Sequence, residues 1–424
     1  MNRLRIAMLT TFYPPCNFGG DGIGVQRLSR GLARLGVEVH VIHDAGAYRL
    51  LTGSSAPPHA DEIDGITVHR IDSRHPLLQN LVTQQTGRPG LKRNAIRDVL
   101  DTHTFDVINY HNVSLLGGPG LFALGSGLKL HMAHEHWLVC ESHVLWRHGR
   151  ELCTRRECFR CVLRHRRPPQ LWRRTGLLER MSRHVDAFIA MSEFSRAKHR
   201  ELGFPRDMEV LPYFLPDRIE EAHAGDAPHH GARPYFLFVG RLERIKGLDE
   251  VIPLFRDIDA DLLIAGEGEY GSVLKDLARD VENVRFLGRL PHEELVGYYR
   301  GARALIVPSV CYETFGIILI EAFREGTPVI ARRLGPFPEI VEASGAGLLF
   351  STGDELRSAL DRFLGEPELR DKLGRAGQES FDAHWSESVV VPRYLELIAR
   401  TATRKGEHEL AERARVHAKE RIPT

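Results

Sequence analysis

Residues 240–247 contain two cations that suit a diphosphate. Arg241 offers a forked guanidinium and Lys246 a point-like ammonium, and both follow a predicted strand in a loop bounded by glycines. Loops after parallel strands are where α/β folds place their ligands. The alternative is that both are solvent-exposed loop charges, because Lys and Arg are mostly exposed in proteins.

Residues 307–322 contain a second cluster, in which a strand is followed by Glu313 and then by a helix that begins near Gly316. A glycine there lets the backbone approach a ligand, and the amides of a first helical turn form an anion site. Glu313 is placed to contact sugar hydroxyls, and Glu321 can return its carboxylate to the same ligand. Glu321 could instead be a surface glutamate, but its apolar neighbours predict a mostly buried helix, where an unpaired carboxylate is costly.

His134 is the candidate functional residue of the first half. It lies in residues 132–137, directly after a predicted strand, where such sites are built. A histidine hydrogen-bonded within its own loop is the alternative.

Four of the six cysteines have the spacing C-x12-C-x4-C-x2-C. Four thiolates suit a tetrahedral Zn²⁺ or an iron–sulfur cluster, and we favour a structural zinc because a closed site leaves no position for substrate. Reduced buried cysteines or a redox-labile loop are the alternatives. The four are Cys140, Cys153, Cys158 and Cys161, whereas Cys16 and Cys311 are expected to be structural.

Arginine is dense from residue 147 to residue 174. Three interpretations stay open for this segment. In the first, it binds an anionic membrane surface or a lipid-diphosphate acceptor. In the second, it binds nucleic acid and forms a zinc module with the cysteines. In the third, it is a solvated arginine-rich helix.

Short β-rich runs alternate with helix-period segments along most of the chain, which is typical of parallel sheets wrapped by helices. A glycine-rich loop over 19–24 and a helix over 25–35 are predicted after the first strand. The predicted strands are 5–9, 37–42, 66–71, 106–110, 128–133 and 187–191 in the first half, and 235–240, 262–266, 284–288, 304–308, 329–331 and 348–350 in the second.

These elements predict two doubly wound, Rossmann-like α/β domains that face each other across a cleft. The first spans 1–225, with a Cys/Arg-rich insertion at about 140–175, and the second spans 234–384. A loose, Pro- and Gly-rich linker is expected at 216–233. Residues 385–424 are expected to form an amphipathic closing helix, which crosses back to the first domain, and a charged tail that is either an exposed helix or frayed.

Composition excludes several classes of protein. The 424 residues include 57 Lys+Arg and 56 Asp+Glu, for a formal net charge of +1, which argues against bulk nucleic-acid binding. Hydrophobic content of 42% excludes a disordered or disulfide-stapled chain. Since no apolar run approaches the roughly 18 residues of a membrane span and no signal peptide is recognisable, we expect a cytoplasmic protein, with peripheral contact at the inner face of a membrane as an option.

Glu313 and Glu321 form an E-x7-E motif that resembles that of the retaining nucleotide-sugar glycosyltransferases of family 4 (group 1), which have the two-domain GT-B fold. Each further landmark is weak alone, but the ordered set is specific and spans nearly the whole second domain. In order, the landmarks are VGRL at 239–242, KG at 246–247, IAGEG at 264–268, FLG at 286–288, ETFG at 313–316, GTPVI at 326–330 and PEIV at 338–341.

The resemblance implies transfer of a sugar from a UDP-, GDP- or ADP-linked donor to a hydroxyl of a glycan, lipid-linked or natural-product acceptor, with retention at the anomeric carbon. Cations that neutralise the leaving diphosphate replace a catalytic metal, so no cofactor for catalysis is implied. Glu313 would orient the sugar and Glu321 would bind the ribose. The residues implied to bind the donor are Gly24, Arg241, Lys246, Glu313, Phe315, Gly316, Ile317 and Glu321; the candidate catalytic residues are His134, Glu313, Arg241 and Lys246.

By the same resemblance, the first domain binds the acceptor and supplies a glycine-rich loop near the donor phosphates, for which Gly24 is the candidate. The family has a pair of glycines just before the helix that follows this loop. Here Ile23 and Gly24 stand at those positions, and the pair Gly19 and Gly20 lies upstream. His134 and Glu135 resemble the family's His-Asp pair, which implies that His134 contacts the donor sugar rather than acting as a general base. The segment from His134 to Cys140 resembles a His-Asp-x-Trp-x-x-Cys segment shared by a subset of the family.

Three other functions stay open. A nucleic-acid-binding zinc-module protein on an α/β scaffold would explain the Cys and Arg segment but not the donor-site residues. A catalytically idle relative would bind a sugar nucleotide without turnover. An inverting enzyme of the same fold would differ in the anomer of its product.

Overall fold

The computed structural model describes residues 3–17, 19–57, 61–73, 75–218 and 233–420. The chain divides into two compact units, Met1–Tyr213 with Glu387–Thr424, and Phe214–Ser386. Most of the linker predicted at 216–233 lies outside the described residues.

One large parallel sheet organises the first unit. The strands of this sheet are β1 (Arg5–Leu9), β2 (Glu38–Asp44), β3 (Glu62–Ile63), β4 (Ile66–Ile71), β5 (Val107–Tyr110), β6 (Leu128–Ala133), β9 (Ala187–Ala190) and β10 (Met208–Val210). Between β6 and β9 in the chain, β7 (Trp146–Arg147) and β8 (Glu151–Leu152) form a separate hairpin. The sheet order is β10-β9-β6-β5-β1-β2-β4-β3, and only the β3–β4 pair is antiparallel. β5, β6 and β9 are buried along their whole length, including the polar residues Asn109, Lys129 and His131.

Helices cover this sheet. They are α1 (Gly20–Arg34), α2 (Ala45–Thr52), α3 (Pro76–Thr86), α4 (Arg93–His103), α5 (Cys158–Arg164), α6 (Leu177–Ser182) and α7 (Glu193–Glu201), with 3₁₀ turns at Gly90–Lys92, Gly118–Ala123, His136–Leu138 and Leu171–Arg174. The sheet order runs outward in both directions from β1, so the switch point of the sheet lies between β1 and β5. Ligands of such sheets bind beyond the carboxyl ends of the strands at this point.

The second unit repeats this plan with six parallel strands. These are β11 (Tyr235–Val239), β12 (Asp261–Ala265), β13 (Val284–Gly288), β14 (Leu305–Val307), β15 (Val329–Arg332) and β16 (Gly347–Phe350), in the order β13-β12-β11-β14-β15-β16. Its helices are α8 (Leu248–Val251), α9 (Gly271–Leu277), α10 (His292–Gly301), α11 (Ile317–Arg324), α12 (Phe337–Ser344), α13 (Gly353–Gly365) and α14 (Pro367–His384), with 3₁₀ turns at Arg244–Lys246 and Ile252–Asp257. The switch point here lies between β11 and β14.

Two C-terminal helices, α15 (Glu387–Lys405) and α16 (His408–Lys419), belong to the first unit. α15 packs on α1, and the hydroxyl of Tyr394 accepts a 2.9 Å hydrogen bond from Asn109 on β5. The prediction that a C-terminal helix returns to the first domain is confirmed. The charged tail after it forms a helix, α16, which was one of the two expectations, but this helix is not fully exposed, because it buries Leu410 and pairs Arg413 with Asp106 at 2.6 Å.

All the predicted strands are present, but two local predictions are wrong. α1 begins at Gly20, so the glycines expected in a loop up to Gly24 lie in the first turns of this helix. The arginine-rich segment is not one helix, since it contains the β7–β8 hairpin, α5 and a 3₁₀ turn. Among the described residues, no helix combines the length and apolar character needed to cross a bilayer.

Candidate active site

Two loops of the second unit bring Lys246 and Glu313 together. β11 and β14 are neighbours in the sheet, so the loops after their carboxyl ends meet at its switch point. The Lys246 Nζ lies 2.6 Å from Oε1 of Glu313, and the same oxygen accepts a 3.2 Å hydrogen bond from the Ser309 hydroxyl. Sequence reasoning had named Lys246 and Glu313 but not Ser309, which carries no sequence signal of its own.

The close approach of these loops depends on Gly247. Its φ is 75°, and a Cβ at this position would lie 2.2 Å from the carbonyl oxygen of Pro308. The amide of Val310 donates a 2.9 Å hydrogen bond to the Ile245 carbonyl and ties the loops together. A side chain at Gly247 would therefore separate the loops and with them Lys246 from its partner.

Lys246 and Glu313 hold each other in the charged state. Burial by itself raises the pKa of Glu313, but attraction to Lys246 and hydrogen bonds from Lys246 and Ser309 outweigh it, so the pKa lies below its usual value. Burial likewise lowers the pKa of Lys246, and the charge of Glu313 outweighs that effect and raises it. The pair thus places a full positive and a full negative charge side by side in a partly buried position.

Arg241 is close enough to influence this pair but is not bonded to it. Its guanidinium pairs with Glu243 at 2.9 Å, and its side chain is 66% exposed. Its charge contributes to the lowered pKa of Glu313. Arg241 is therefore a cation at the exposed side of the same loop, able to turn toward an anion.

Gly316 starts α11 in a conformation that other residues adopt only with strain. Its φ is 108°, and a Cβ there would lie 2.7 Å from Cε1 of Phe337. Phe315 is buried, and Ile317 is the first residue of the helix. The first-turn amides of α11, beginning at Ile317, have the orientation of an anion site.

Glu321 lies on α11 and is held by a residue that sequence reasoning missed. The hydroxyl of buried Tyr299 donates a 3.1 Å hydrogen bond to Oε2 of Glu321. Burial and the charge of Glu321 together raise the pKa of Tyr299, so the hydroxyl stays protonated and able to donate. The predicted spacing does place Glu321 on a mostly buried helix, and Tyr299 answers the question of how its carboxylate is stabilised there.

In the first unit, His134 follows β6 and joins a buried polar group. Its Nε2 lies 2.7 Å from Nδ1 of His111, which follows β5, and its Nδ1 bonds to the hydroxyl of Tyr213. Burial lowers the pKa of His134 to about 4, and Asp21 opposes this only in part. His134 is therefore neutral at pH 7.

Gly24 belongs to the same group. A Cβ at Gly24 would lie 2.7 Å from Cε1 of Tyr213, so this helical glycine leaves room for the ring that bonds to His134. Nearby, Asn112 donates a 2.8 Å hydrogen bond to Asp21 in the first turn of α1. The structure thus brings Gly24 and His134 together through Tyr213, a residue that no sequence motif indicated.

Glu135 follows His134 at the position of the acidic residue in the family's His-Asp pair, but its carboxylate pairs with another histidine. Its Oε1 lies 2.7 Å from Nδ1 of His143. Glu135 thus secures the start of the cysteine-rich segment, whereas His134 bonds to His111 and Tyr213.

The four clustered cysteines line one cavity of about 20 Å³. All six cysteines of the chain are free thiols. Burial and the three neighbouring cysteines raise the pKa of Cys153 to about 11. The four predicted cysteines therefore lie around the same cavity, and their binding of a metal stays a prediction.

Arg173 shows that the arginine-rich segment is not a uniformly solvated surface. Its guanidinium stacks 4.5 Å from the ring centroid of Trp172 and donates to the carbonyls of Trp137 and Leu138. Burial lowers its pKa to about 10. This arginine fastens the segment to the loop that follows His134.

Two family models match the chain, and together they span most of it. The model of Glycosyltransferase Family 4 matches residues 18–216, and that of Glycosyl transferases group 1 matches residues 220–380. The chain belongs to this glycosyltransferase family. Enzymes of the family with this fold need no catalytic cofactor.

A relative of this glycosyltransferase from Corynebacterium glutamicum is named as a GDP-mannose-dependent monoacylated alpha-(1-6)-phosphatidylinositol monomannoside mannosyltransferase. It is 34% identical over 178 residues, which make up 39% of this chain and 47% of that relative. The alignment thus spans about half of the relative's length.

Solved structures establish the fold of this glycosyltransferase. Sucrose-phosphate synthase from Thermosynechococcus elongatus matches with a TM-score of 0.73 and 21% identity, over 95% of this chain and all (100%) of that one. HepE from Anabaena, solved with UDP-glucose, matches with a TM-score of 0.66 and 15% identity, over 94% of this chain and 100% of that one. The fold is GT-B.

Proposed function

We propose that this glycosyltransferase transfers a hexose from a nucleotide-sugar donor to a hydroxyl acceptor with retention of the anomeric configuration. The observation that carries the proposal is the Lys246–Glu313 pair beside the start of α11. A sugar diphosphate needs a cation for its phosphates and a carboxylate for its hydroxyls at neighbouring points, and this pair supplies both. The UDP-glucose complex of HepE makes a uracil nucleotide the first candidate donor, and the Corynebacterium relative makes GDP-mannose the second.

Each donor-site residue has a defined part in this proposal. Lys246 and Arg241 neutralise the diphosphate as the bond to the sugar breaks, and stabilising charge on a leaving group is a large contribution to catalysis. Glu313 accepts hydrogen bonds from the hydroxyls of the sugar, and Glu321 accepts hydrogen bonds from those of the ribose. The amides that begin at Ile317 bind phosphate, and Gly316 lets them approach it.

His134 acts on the donor sugar as a neutral hydrogen-bonding group rather than as a base. Because its pKa is about 4, the imidazole is uncharged near pH 7. In the absence of substrate, its two ring nitrogens bond to His111 and Tyr213. Contact with a sugar requires one of these bonds to exchange. Retention then follows if the acceptor approaches the face that the diphosphate leaves, with a phosphate oxygen taking its proton.

Calorimetry tests the donor site. UDP, GDP, ADP and their sugar conjugates are titrated into the wild-type chain and into the double variant Arg241→Ala, Lys246→Ala. Lys275→Ala with Arg279→Ala removes two exposed cations elsewhere in the second unit and is the matched control. Binding of one nucleotide that survives the control and vanishes in the double variant supports the proposal.

Two results would contradict parts of the proposal. If folded wild-type protein binds none of the nucleotides, the donor site is wrong. If proton NMR of the first-formed product shows the opposite anomer from the donor, retention is wrong and the enzyme is inverting. Donor binding without turnover over a broad acceptor panel would favour the idle binder.

A specific observation favours an acceptor at a membrane surface. One face of α3 exposes Leu77, Leu78, Leu81 and Val82, and Leu77 is 67% exposed. α3 is joined to the arginine-rich segment, because Gln84 and Gln85 of α3 donate hydrogen bonds to the carbonyls of Pro168 and Pro169.

Cations flank this apolar face. The arginine-rich segment adds the exposed apolar residues Phe159, Leu163 and Leu171, and Arg174 lies 4.6 Å from the ring centroid of Phe159. Apolar side chains bordered by arginines suit the interface of an anionic bilayer. We therefore propose that the first unit binds an anionic membrane, where it meets a lipid-linked acceptor.

Vesicle sedimentation tests this second candidate. The wild-type chain should sediment with phosphatidylglycerol-containing vesicles and not with pure phosphatidylcholine vesicles. Leu77→Gln with Leu81→Gln should abolish binding, whereas Val273→Gln, an exposed apolar residue of the second unit, should not. Equal binding by wild type and the leucine variant would remove the membrane proposal and leave the donor site untouched.

A further inference from the structure

Four cysteine side chains from three elements of the first unit lie around one cavity. Cys140 follows the 3₁₀ turn His136–Leu138, Cys153 follows β8, and Cys158 and Cys161 lie on α5. All four line the same cavity of about 20 Å³. A cavity of this size holds one water-sized species.

Charged groups of both signs surround this cavity. Arg147 and Arg156 line it together with Glu141, Glu157 and the four cysteines. The amide of His148 donates a 3.2 Å hydrogen bond to the sulfur of Cys161. Four thiolates around a divalent ion carry a net charge of −2, and nearby guanidinium groups and amide-to-sulfur bonds stabilise such a site.

The backbone of this segment is strained in a way that needs external support. Among the described residues, positive φ values at residues other than glycine occur at six positions, and four of them lie at 143–166. They are His143 (φ 74°), Leu145 (φ 49°), His148 (φ 53°) and Arg166 (φ 54°). Each left-handed residue costs on the order of 1 kcal/mol, and such residues persist when surrounding structure imposes them.

The segment has few apolar side chains to impose that conformation. Around the cavity, the buried apolar residues are Val139, Leu145, Val162 and Leu202, and Leu202 directly follows α7. The β7–β8 hairpin has two residues in each strand, and α5 has seven residues. Elements this short are usually held by a metal or by disulfides when their core is small.

We propose that Cys140, Cys153, Cys158 and Cys161 bind one Zn²⁺ as four thiolates, in a closed structural site. Four thiolates are a ligand set that suits a single tetrahedral ion. Because all four positions of the tetrahedron are filled by protein, the ion takes no part in sugar transfer. This inference is independent of the proposed donor and acceptor.

The site anchors the loop that carries His134. Cys140 lies two residues beyond the turn His136–Leu138, and Arg173 donates hydrogen bonds to the carbonyls of Trp137 and Leu138 within that turn. Binding of the ion at Cys140 would hold the chain directly after this turn, in addition to the hydrogen bonds from Arg173 to the turn itself. Loss of zinc should therefore loosen the segment 140–165 before it affects the sheet.

A second metal-capable group in the chain must be distinguished from this one. Within the described ranges, His40, His69 and His103 are the group whose ligand atoms all lie within 4.8 Å of one another. The cysteine sulfurs are spaced more widely around their cavity and must close on the ion. In this group, both ring nitrogens of His40 are already bonded, Nδ1 to His69 at 2.9 Å and Nε2 to Glu38 at 3.2 Å.

Metal analysis of the full chain tests the proposal. The protein is purified under reducing conditions, loaded with Zn²⁺, desalted, and measured by plasma mass spectrometry. We expect about one zinc per chain, and a loss to background in Cys153→Ser and Cys158→Ser, both at half-buried positions. Cys16→Ala, which removes a thiol outside the cavity, and His69→Gln, which removes the alternative site, should keep the zinc.

A cobalt titration of the wild-type chain needs no variant. Co²⁺ in four-thiolate coordination should give the intense visible spectrum of a tetrahedral thiolate site, and Zn²⁺ should abolish it. Hydrogen exchange should show that residues 140–165 open faster after chelation.

Several results would overturn the proposal. These are metal-free wild-type protein after loading, zinc that is lost in His69→Gln but kept in the cysteine variants, and stoichiometric iron. Disulfides among the four cysteines in freshly prepared protein would overturn it as well.

Discussion

Lys246 and Glu313 form an ion pair with Nζ 2.6 Å from Oε1, although 67 residues separate them in the chain. Their side chains are 20% and 24% exposed, so a ligand can still reach both. Without a ligand, each stabilises the charge of the other. A diphosphate would therefore meet a cation that is already charged and already positioned.

Removing the lysine should change the ionisation of its partner. In Lys246→Gln, burial of Glu313 is opposed only by Ser309 and the more distant Arg241, so its pKa should rise from below to above its usual value. A carbon-13 NMR titration of carboxyl-labelled glutamate measures this shift, with Arg244→Gln as the control in the same loop. An unchanged pKa would mean that the pair is not formed in solution.

The same pair predicts a pH dependence of stability. Because the folded pKa of Glu313 is lowered, its contribution is fully present above its unfolded pKa of about 4.5 and is lost as the pH falls through the lower folded value. The wild type should therefore lose more unfolding free energy than Lys246→Gln on acidification below about pH 4.5. Urea unfolding at a series of pH values compares the two, and parallel curves would contradict the expectation.

Gly316 should not tolerate a side chain. Gly316→Ala combines a φ of 108° with a Cβ placed 2.7 Å from Phe337, so we expect a destabilisation of about 1–3 kcal/mol. Gly345→Ala has a φ of 61° and open space around the Cβ, so it reports the backbone strain alone. Urea unfolding of both variants separates the effect of the steric clash from that of the backbone strain. Equal losses of unfolding free energy would show that Phe337 moves aside without a cost in stability.

Tyr299 positions Glu321, and its hydroxyl can be removed with little change in shape. Tyr299→Phe should raise the KM for the donor several-fold with a smaller change in kcat, because Glu321 is proposed to bind the ribose. Tyr235→Phe removes another hydroxyl of the second unit, one that bonds to the Tyr298 carbonyl, and should leave KM unchanged. If the two variants behave alike, Tyr299 has only a structural role.

A buried ion pair in the first unit should dominate the local stability. Lys92 and Asp44 are each 1% exposed, and Lys92 also donates to Asn80 at 2.8 Å and to the Leu115 carbonyl at 2.7 Å. Lys92→Met leaves a buried carboxylate without its cation, which should cost about 3–5 kcal/mol at pH 7.

The loss in Lys92→Met should shrink at acid pH. Burial already raises the pKa of Asp44 in the wild type, and without Lys92 the rise is larger. A raised folded pKa means that protonation favours the folded state, so acidification relieves the penalty. Urea unfolding at two pH values checks this. The double variant Asp44→Asn, Lys92→Met should recover part of the loss, and no recovery would point to the hydrogen bonds of Lys92 instead.

The strands could be predicted from the sequence because most of them are short β-rich runs that alternate with helix-period segments. Ile66–Ile71 and Leu128–Ala133 were predicted at their observed bounds. The shorter β10 was missed, since Met208–Val210 has too few residues to show a pattern. The start of α1 was placed too late because its glycines, read as loop residues, are allowed in the helix by close packing, as at Gly24 against Tyr213.

The residue types and spacing along the chain by themselves determined the α/β plan, the family resemblance and the identity of Glu313, Lys246 and the four cysteines as candidates. Only the tertiary structure decided their partners: Ser309 and Lys246 for Glu313, Tyr299 for Glu321, and Tyr213 with His111 for His134. The physical reason is that local patterns are set by the burial of each element. Partners are set by which strands become neighbours, and β11 lies beside β14 only because the whole sheet places them there.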